Sequence, residues 1–208
     1  MPNSDRLRRV GVVLFDRFEL LDVFGPLELL GVLPDRFELT MIGPTAGPIR
    51  SAQGPEVLVT EAYPETPVPD IVLMPGGIGT RSLVEDDGFL TWLAGWARTA
   101  QVVTSVCTGS GVLAAAGLLD GYRATSNKRA FTWAESQGPR VDWIRQARWV
   151  ADRDRWTSSG VAAGMDMTLA LIAHLHGDEV ATRVADEVEY DWHRDWSWDP
   201  FAAKHGVI

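Results

Sequence analysis

The chain is poor in cysteine: among its 208 residues, only Cys107 carries a thiol. A single cysteine excludes an intramolecular disulfide, and it also excludes zinc sites built from several thiolates. No apolar run approaches the ~20 residues that a membrane-spanning helix needs. The apolar run at 10–15 is too short for the hydrophobic region of a signal peptide. We therefore expect a cytoplasmic protein without a membrane partner.

Positive charge is also scarce. The chain has 19 Lys and Arg against 28 Asp and Glu, a net charge of −9 and an isoelectric point near 4.9. A nucleic-acid surface needs clustered Lys and Arg, so nucleic acid is not an expected partner. Solubility alone accounts for a moderate negative charge, and the balance therefore places no restriction on a small-molecule substrate.

Short apolar runs alternate along the chain with segments of helical spacing. This alternation predicts an α/β fold: a three-layer, flavodoxin-like sandwich with a mainly parallel open sheet. The length fits one domain and no linker is visible, so we predict a single domain over 1–208. The predicted strands are 10–15, 37–42, 71–74, 101–106 and 124–126, with a hairpin of 147–151 and 156–159; the predicted helices are 20–33, 89–98, 109–116, 128–136, 162–174 and 178–190; residues 44–69 are predicted as a loop region with β pieces around 49 and 57–60, and 191–208 as a Trp-rich irregular tail.

The only cysteine lies where a β-branched strand runs directly into a helix of small residues. Such a turn strains the backbone of a nucleophile and lifts its side chain into the crevice beyond the strand ends. Gly109 and Gly111 would allow the close approach of helix and strand that the turn needs. The positive end of the helix favours a thiolate. We therefore predict that Cys107 is a catalytic nucleophile; the alternative is a buried, inert small hydrophobe.

Four segments resemble motifs of the ThiJ/PfpI superfamily, and they follow in the same order along nearly the whole chain. They are Asp22-Val-Phe-Gly-Pro26, Pro75-Gly76-Gly77, Val106-Cys107-Thr108-Gly109-Ser110 with 113–119 after it, and 158–166. Asp22 with Pro26 four residues later, and Cys107 followed by Thr108, most resemble the isocyanide hydratase branch. The resemblance implies a nucleophile elbow and a homodimer; the reaction scheme considered below requires neither a metal nor an organic cofactor.

Asp22 is the candidate proton donor, because an adduct on a thiolate must gain a proton as it resolves. In the superfamily, an acid at this position contacts the nucleophilic cysteine. A carboxylate beside a thiol raises the thiol pKa, so Asp22 should hold a proton that it shares with the sulfur. The alternative is an ordinary acid in a first helical turn. Glu19 and Asp16 are rivals, which we interpret as a helix cap and a solvated charge.

The loops around the cysteine supply three further candidates. By resemblance, Gly76 and Gly77 provide backbone N–H groups to an oxyanion hole, although a plain strand-to-helix turn would also have glycines. Thr108 would place a hydroxyl and an N–H beside the sulfur; it could equally be a first-turn helix residue. Asn127 stands where protease-like and amidase-like relatives have a histidine, which weakens peptidase and amidotransferase interpretations.

The leading hypothesis is an isocyanide hydratase that forms a covalent thioimidate on Cys107 and releases an N-substituted formamide. One alternative is a glyoxalase-like or deglycase-like enzyme that attacks α-oxoaldehydes with the same thiol. Another is a non-catalytic protein in which Cys107 senses oxidants. Related domains also serve as ligand-sensing halves of transcription regulators, but the sequence offers neither the room nor the charge for a DNA-binding region.

Overall fold

The structure, a computed structural model, describes residues 6–208; the first five residues of the predicted domain lie outside the described part. Eleven strands are present in this part, and seven of them form the central sheet. The strands are β1 (Arg8–Val13), β2 (Phe37–Gly43), β3 (Gly47–Arg50), β4 (Glu56–Val59), β5 (Glu61–Ala62), β6 (Ile71–Met74), β7 (Val102–Ser105), β8 (Arg123–Ala124), β9 (Asp142–Trp143), β10 (Trp149–Asp152) and β11 (Arg155–Ser158).

The central sheet has the strand order β10-β11-β7-β6-β1-β2-β5. All its neighbours pair in parallel except β10 and β11, which form the predicted antiparallel hairpin. Two small sheets lie beside it, an antiparallel pair of β3 and β4 and a parallel pair of β8 and β9. The prediction of an α/β fold with a mainly parallel open sheet is confirmed.

Helices flank the central sheet. They are α1 (Leu20–Gly31), α2 (Thr80–Leu83), α3 (Asp87–Ala97), α4 (Gly109–Ala115), α5 (Phe131–Ser136), α6 (Val161–His176), α7 (Asp178–Glu187) and α8 (Pro200–Lys204), with a 3₁₀ turn at Tyr63–Glu65. Within residues 6–208, no helix combines the length and the apolar character that crossing a bilayer requires.

The middle strands β6 and β7 are buried at every position, and β1 is buried at all but one. Helical cover on both faces of a parallel sheet requires strands of continuous apolar character, and these runs have it. Because the strands are parallel, the loops after β1, β6 and β7 emerge at one edge of the sheet. That edge is where open α/β sheets bind ligands.

Several predicted elements differ from the structure in their bounds or partners. The strand predicted at 124–126 shortens to β8 and pairs with β9, outside the central sheet. The helix predicted from residue 128 begins at Phe131. The tail predicted to be irregular contains α8, which begins with Pro200 after Asp199, whose carboxylate accepts a hydrogen bond from Phe201 N at 2.9 Å. This capping pattern is a typical helix start that the surrounding tryptophans obscured.

Candidate active site

Cys107 forms a strained turn between β7 and α4. Its φ angle is 58°, in the left-handed region that side chains other than glycine seldom adopt. Hydrogen bonds hold the peptide on both sides: the Cys107 N–H donates to Ser159 O at 2.9 Å. The Cys107 carbonyl accepts from the hydroxyls of Ser110 and Ser126, both at 3.1 Å. This is the geometry expected of a nucleophile elbow.

Two glycines allow the close packing around this turn. A Cβ atom on Gly109 would lie 2.2 Å from Met74 O, so only glycine lets α4 approach β6 at this point. A Cβ atom on Gly111 would lie 2.6 Å from Trp133 Cζ3 of α5. The prediction for Gly109 is confirmed; Gly111 instead allows α4 to pack closely against α5.

Asp22 lies in the first turn of α1 and is completely buried. Its Oδ2 accepts a hydrogen bond from Gly76 N at 2.8 Å, whereas its Oδ1 has no hydrogen-bond partner among the described residues. The Asp22 carboxyl lies close enough to the Cys107 thiol for a hydrogen bond between them to lower the Asp22 pKa. Burial, with a smaller contribution from the charge of Glu19, raises the pKa of Asp22 to about 8. The carboxyl therefore holds a proton at neutral pH.

Cys107 is buried, with 7% of the residue exposed. Burial raises its pKa well above the usual value, and the charge of an ionised Asp22 raises it further. The backbone N–H and the hydroxyl of Thr108 act in the opposite direction. Burial thus acts against the predicted preference of the helix end for a thiolate, which stays a prediction.

The backbone amides of Gly76 and Gly77 hold the Asp22 carboxyl and the Thr108 hydroxyl in place. The Gly76 N–H is bonded to Asp22, and the Gly77 N–H donates to Thr108 Oγ1 at 3.1 Å. A Cβ atom on Gly76 would lie 2.6 Å from Thr108 N and 2.8 Å from Asp22 Oδ2, so no side chain fits here. This geometry gives both amides a positioning role and leaves the predicted oxyanion-binding role without a free donor.

Two residues near the thiol carry no sequence signal. The Thr80 hydroxyl donates to Gly77 O at 2.7 Å and supports the glycine loop. Arg81 stacks on the Trp133 ring, with its guanidinium carbon 3.6 Å from the ring centre. Burial lowers the Arg81 pKa, and an electrostatic interaction with Cys107 raises it. Arg81 is thus a positive charge close to the nucleophile.

The rival acids have other surroundings. Glu19 stands at the cap position of α1 but makes no capping hydrogen bond, so the cap prediction is wrong; its carboxylate accepts from Gln53 Nε2 at 2.7 Å instead. Asp16 is exposed, as predicted for a solvated charge. Asn127 Oδ1 accepts from Ala130 N at 3.1 Å. Among the described residues, no three His, Cys, Asp or Glu side chains cluster in a way that could hold a metal ion.

The model of the DJ-1/PfpI family matches residues 8–174. The chain belongs to the DJ-1/PfpI family. Within it, an isonitrile hydratase from Pseudomonas putida is 36% identical over 184 residues, which cover 88% of this chain and 78% of the relative. The transcriptional regulator GbdR from Pseudomonas aeruginosa is 29% identical over 195 residues. That match covers 91% of this chain and only 53% of the regulator, so the chain spans about half of the regulator's length.

Solved structures of the DJ-1/PfpI family have the same fold. A THiJ/PfpI family protein from Pseudomonas syringae superposes with a TM-score of 0.83 at 28% identity, covering 98% of this chain and 85% of that one. DJ-1beta from Drosophila melanogaster superposes with a TM-score of 0.77, covering 90% and 100% of the two chains. At 18% identity, this second likeness concerns the fold alone.

Proposed function

We propose that the protein hydrates isocyanides to N-substituted formamides through a covalent adduct on Cys107. The observation that carries the proposal is the pairing of one thiol with a buried, protonated carboxyl whose Oδ1 has no partner among the described residues. An isocyanide carbon must accept both a nucleophile and a proton, and this pair offers both. The similarity to an isonitrile hydratase supports the same reaction.

In the first step, a lone pair of the Cys107 sulfur forms a bond to the isocyanide carbon. The proton on Asp22 passes to that same carbon, and the thiol proton passes to the carboxylate that remains. The product is a thioimidate, and Asp22 carries a proton again. Because the raised pKa of the thiol disfavours a free thiolate, we expect attack and proton transfer to be concerted.

In the second step, water adds to the thioimidate carbon. A proton moves through Asp22 from the water to the nitrogen, and the carbon–sulfur bond of the resulting tetrahedral adduct then breaks. As the C=O bond of the formamide forms, the hydroxyl of the adduct gives its proton to the departing sulfur, which restores the thiol. Gly76 keeps the Asp22 carboxyl in place through its N–H, while Thr108 directs its N–H and hydroxyl towards the sulfur.

The test is incubation with cyclohexyl isocyanide, followed by intact-mass spectrometry and by formamide release. We expect turnover by the wild type and none by Cys107→Ser. Because Asp22 supplies the proton that forms the thioimidate, Asp22→Asn should give neither a thioimidate nor formamide. Asp16→Asn, a change to an exposed acid, is the matched control and should retain full turnover. Absence of both adduct and formamide in the wild type would exclude the hydratase.

A ligand-sensing role is the second candidate, and the similarity to GbdR favours it. In that case Cys107→Ser would bind small molecules as the wild type does, and no isocyanide would be consumed. Methylglyoxal in the same assay tests the glyoxalase or deglycase alternative, and mass spectrometry after peroxide treatment tests oxidant sensing by the thiol. The homodimer implied by the resemblance stays a prediction, which sedimentation equilibrium would test.

A further inference from the structure

Arg81 lies in α2, and two contacts hold its guanidinium in one plane. The guanidinium carbon is 3.6 Å from the centre of the Trp133 ring, and Nη1 donates to Thr80 Oγ1 at 2.9 Å. Stacking and a hydrogen bond together restrict a side chain that is otherwise flexible. Among the described residues, no carboxylate forms a salt bridge with Arg81, so its positive charge is not neutralised locally.

Thr80 connects the guanidinium to the glycine loop. The residue is fully buried, and its Oγ1 lies 2.7 Å from Gly77 O and 3.3 Å from Thr108 Oγ1. A guanidinium can only donate, so the Arg81 N–H must use a lone pair of the Thr80 hydroxyl, which has one proton of its own to give. That proton goes to the nearer acceptor, Gly77 O.

Thr108 stands between this loop and the sulfur. Its Oγ1 accepts the Gly77 N–H at 3.1 Å, and its own proton has two acceptors in reach, Gly77 O at 3.3 Å and the Cys107 sulfur. Because the Thr80 proton already occupies Gly77 O at the shorter distance, the Thr108 proton is left for the sulfur. We call Arg81, Thr80 and Thr108 the donor chain, since its protons point from the guanidinium towards the nucleophile.

The charged groups around the thiol are of both signs. Besides the effect of burial, the charges of Asp22 and Glu19 raise the thiol pKa from the side of α1. Arg81 interacts with the thiol from α2, and a positive charge favours the thiolate. The strand β6, the helix α4 and the first turn of α6 contain no ionisable side chain. Lys128 follows Ser126, which contacts the turn, but its ammonium donates to two other oxygen atoms. Arg81 is thus the positive charge that offsets the two carboxyls.

We propose that Arg81 is a positioning residue which, through Thr80, directs the Thr108 hydroxyl proton onto the Cys107 sulfur. The donor chain stabilises the negative charge that develops on the sulfur when it gives up its proton. Hydrogen bonds to charged groups are stronger than those between neutral groups, so the chain contributes more as the sulfur ionises. The inference goes beyond the proposed hydration, because it concerns the thiol and not the electrophile.

The test is the rate at which iodoacetamide alkylates the protein, followed by intact-mass spectrometry between about pH 6 and about pH 10. Because Cys107 is the only cysteine, the added mass reports on this sulfur. Arg81→Met removes the charge and the donor but can still cover the Trp133 ring, whereas Thr80→Val removes the connecting hydroxyl and keeps the charge. We expect Arg81→Met to slow alkylation about tenfold at neutral pH, and Thr80→Val about threefold, each with the pH profile shifted upwards.

Two further variants separate this role from a structural one. Thr80→Ser keeps the hydroxyl and should recover most of the rate that Thr80→Val loses. Arg153→Met is the matched control, because Arg153 also stacks on an aromatic ring, with its guanidinium carbon 3.6 Å from the centre of the Tyr122 ring. Arg153 lies in the turn between β10 and β11, at the end of β11 opposite to Ser159, and its loss should leave the pH profile unchanged.

A wild-type pH profile in Arg81→Met would overturn the role of Arg81. Arg81 is partly exposed, so this variant should fold, and urea unfolding checks that it does. Slow alkylation of Arg81→Met beside a wild-type rate for Thr80→Val would also overturn the proposal, since Arg81 would then act through its charge alone. The result does not depend on the isocyanide assay, because the electrophile here is iodoacetamide.

Discussion

At the scale of single residues, backbone groups hold the two reacting side chains. Cys107 is fixed in a left-handed conformation by bonds to its own N–H and carbonyl, and Asp22 is fixed by the Gly76 N–H. Both side chains are buried, and burial raises the pKa of the thiol and of the carboxyl. The protonation state of Asp22 is the property that activity and stability should report.

Activity should fall as the pH rises through about 8, where the Asp22 carboxyl loses its proton. The acid form delivers the proton to carbon, and an ionised Asp22 also raises the thiol pKa further. The measurement is kcat/KM for cyclohexyl isocyanide from pH 6 to about pH 9.5. Activity that instead rises steadily through this range would indicate that a free thiolate, without an acid, is the working state.

The free energy of unfolding should also fall as the pH rises towards the Asp22 pKa. The pKa of Asp22 is raised from 3.8 to about 8 on folding, so the stability from its bound proton is present at low pH and lost as the pH rises towards 8. Asn does not titrate. Relative to Asp22→Asn, the wild type should therefore lose about 3 kcal/mol between about pH 5.5 and pH 8, since a tenfold change in proton binding corresponds to about 1.4 kcal/mol.

Urea unfolding of both proteins at several pH values provides the measurement. The Asn side chain can still accept the Gly76 N–H through its carbonyl oxygen, so the variant is a close structural match. A difference between the two proteins that does not vary with pH would mean that Asp22 ionises in the folded state as it does in the unfolded chain.

At the scale of helices and strands, the sequence predicted best where one physical pattern dominated. The runs that became β6 and β7 are apolar throughout, because both faces of the strands are covered. By contrast, α2 and α8 have four and five residues, too few for any apolar period to emerge. Strand pairing could not be predicted either. The sequence of β8 predicts a strand, but only the tertiary structure shows that it pairs with β9.

The residues of the candidate site also fall into two groups, those with a local sequence pattern and those without one. Cys107, Thr108 and Gly76 were found because their motifs are local, and Asp22 because a resemblance places it beside the cysteine. Groups such as Thr80 and Arg81 reach the site through tertiary structure alone. The bonds that engage the Gly76 and Gly77 amides are likewise long-range contacts that a local motif cannot reveal.

The contact between α6 and the elbow should tolerate no added methyl group. A Cβ atom on Gly164 would lie 2.7 Å from Val106 Cγ1 and 2.8 Å from Cγ2, and the branched valine has no other rotamer to adopt at low cost. We expect Gly164→Ala to destabilise the protein by about 1–3 kcal/mol, because overpacking outweighs the better helix propensity of alanine.

Gly95→Ala in α3 is the matched control. Nothing lies within 4 Å of a Cβ atom built there, so alanine should stabilise the protein by up to about 1 kcal/mol. Urea unfolding of both variants gives the comparison. Equal effects of the two substitutions would show that Gly164 is not a packing position.

At the scale of the whole molecule, Asp166 joins three parts of the chain. Its Oδ2 accepts from Arg148 Nε at 2.7 Å, and its Oδ1 accepts from the Tyr190 hydroxyl at 3.0 Å and from His193 N at 2.9 Å. Burial raises the pKa of Asp166, while the Arg148 charge lowers it. This carboxyl therefore ties α6 and the segment before β10 to the C-terminal tail.

Replacing Arg148 with methionine should cost about 3–5 kcal/mol, because it leaves the fully buried Asp166 without its countercharge. Arg145→Gln is the control: its pair with Glu135 is partly exposed, and the change should cost less than about 1 kcal/mol. Urea unfolding measures both. If the two substitutions cost the same, Asp166 does not hold the tail through its charge.

The two ends of the central sheet offer different amounts of unpaired backbone to another chain. On one side, β5 pairs only with Ile42 and Gly43, so the first five residues of β2 pair with no strand there among the described residues. On the other, the tail runs beside the start of β10, where Arg148 N donates to Trp196 O at 2.8 Å. Free strand edges invite pairing with another chain. Under crowding, any β-sheet aggregation should therefore begin at the first half of β2.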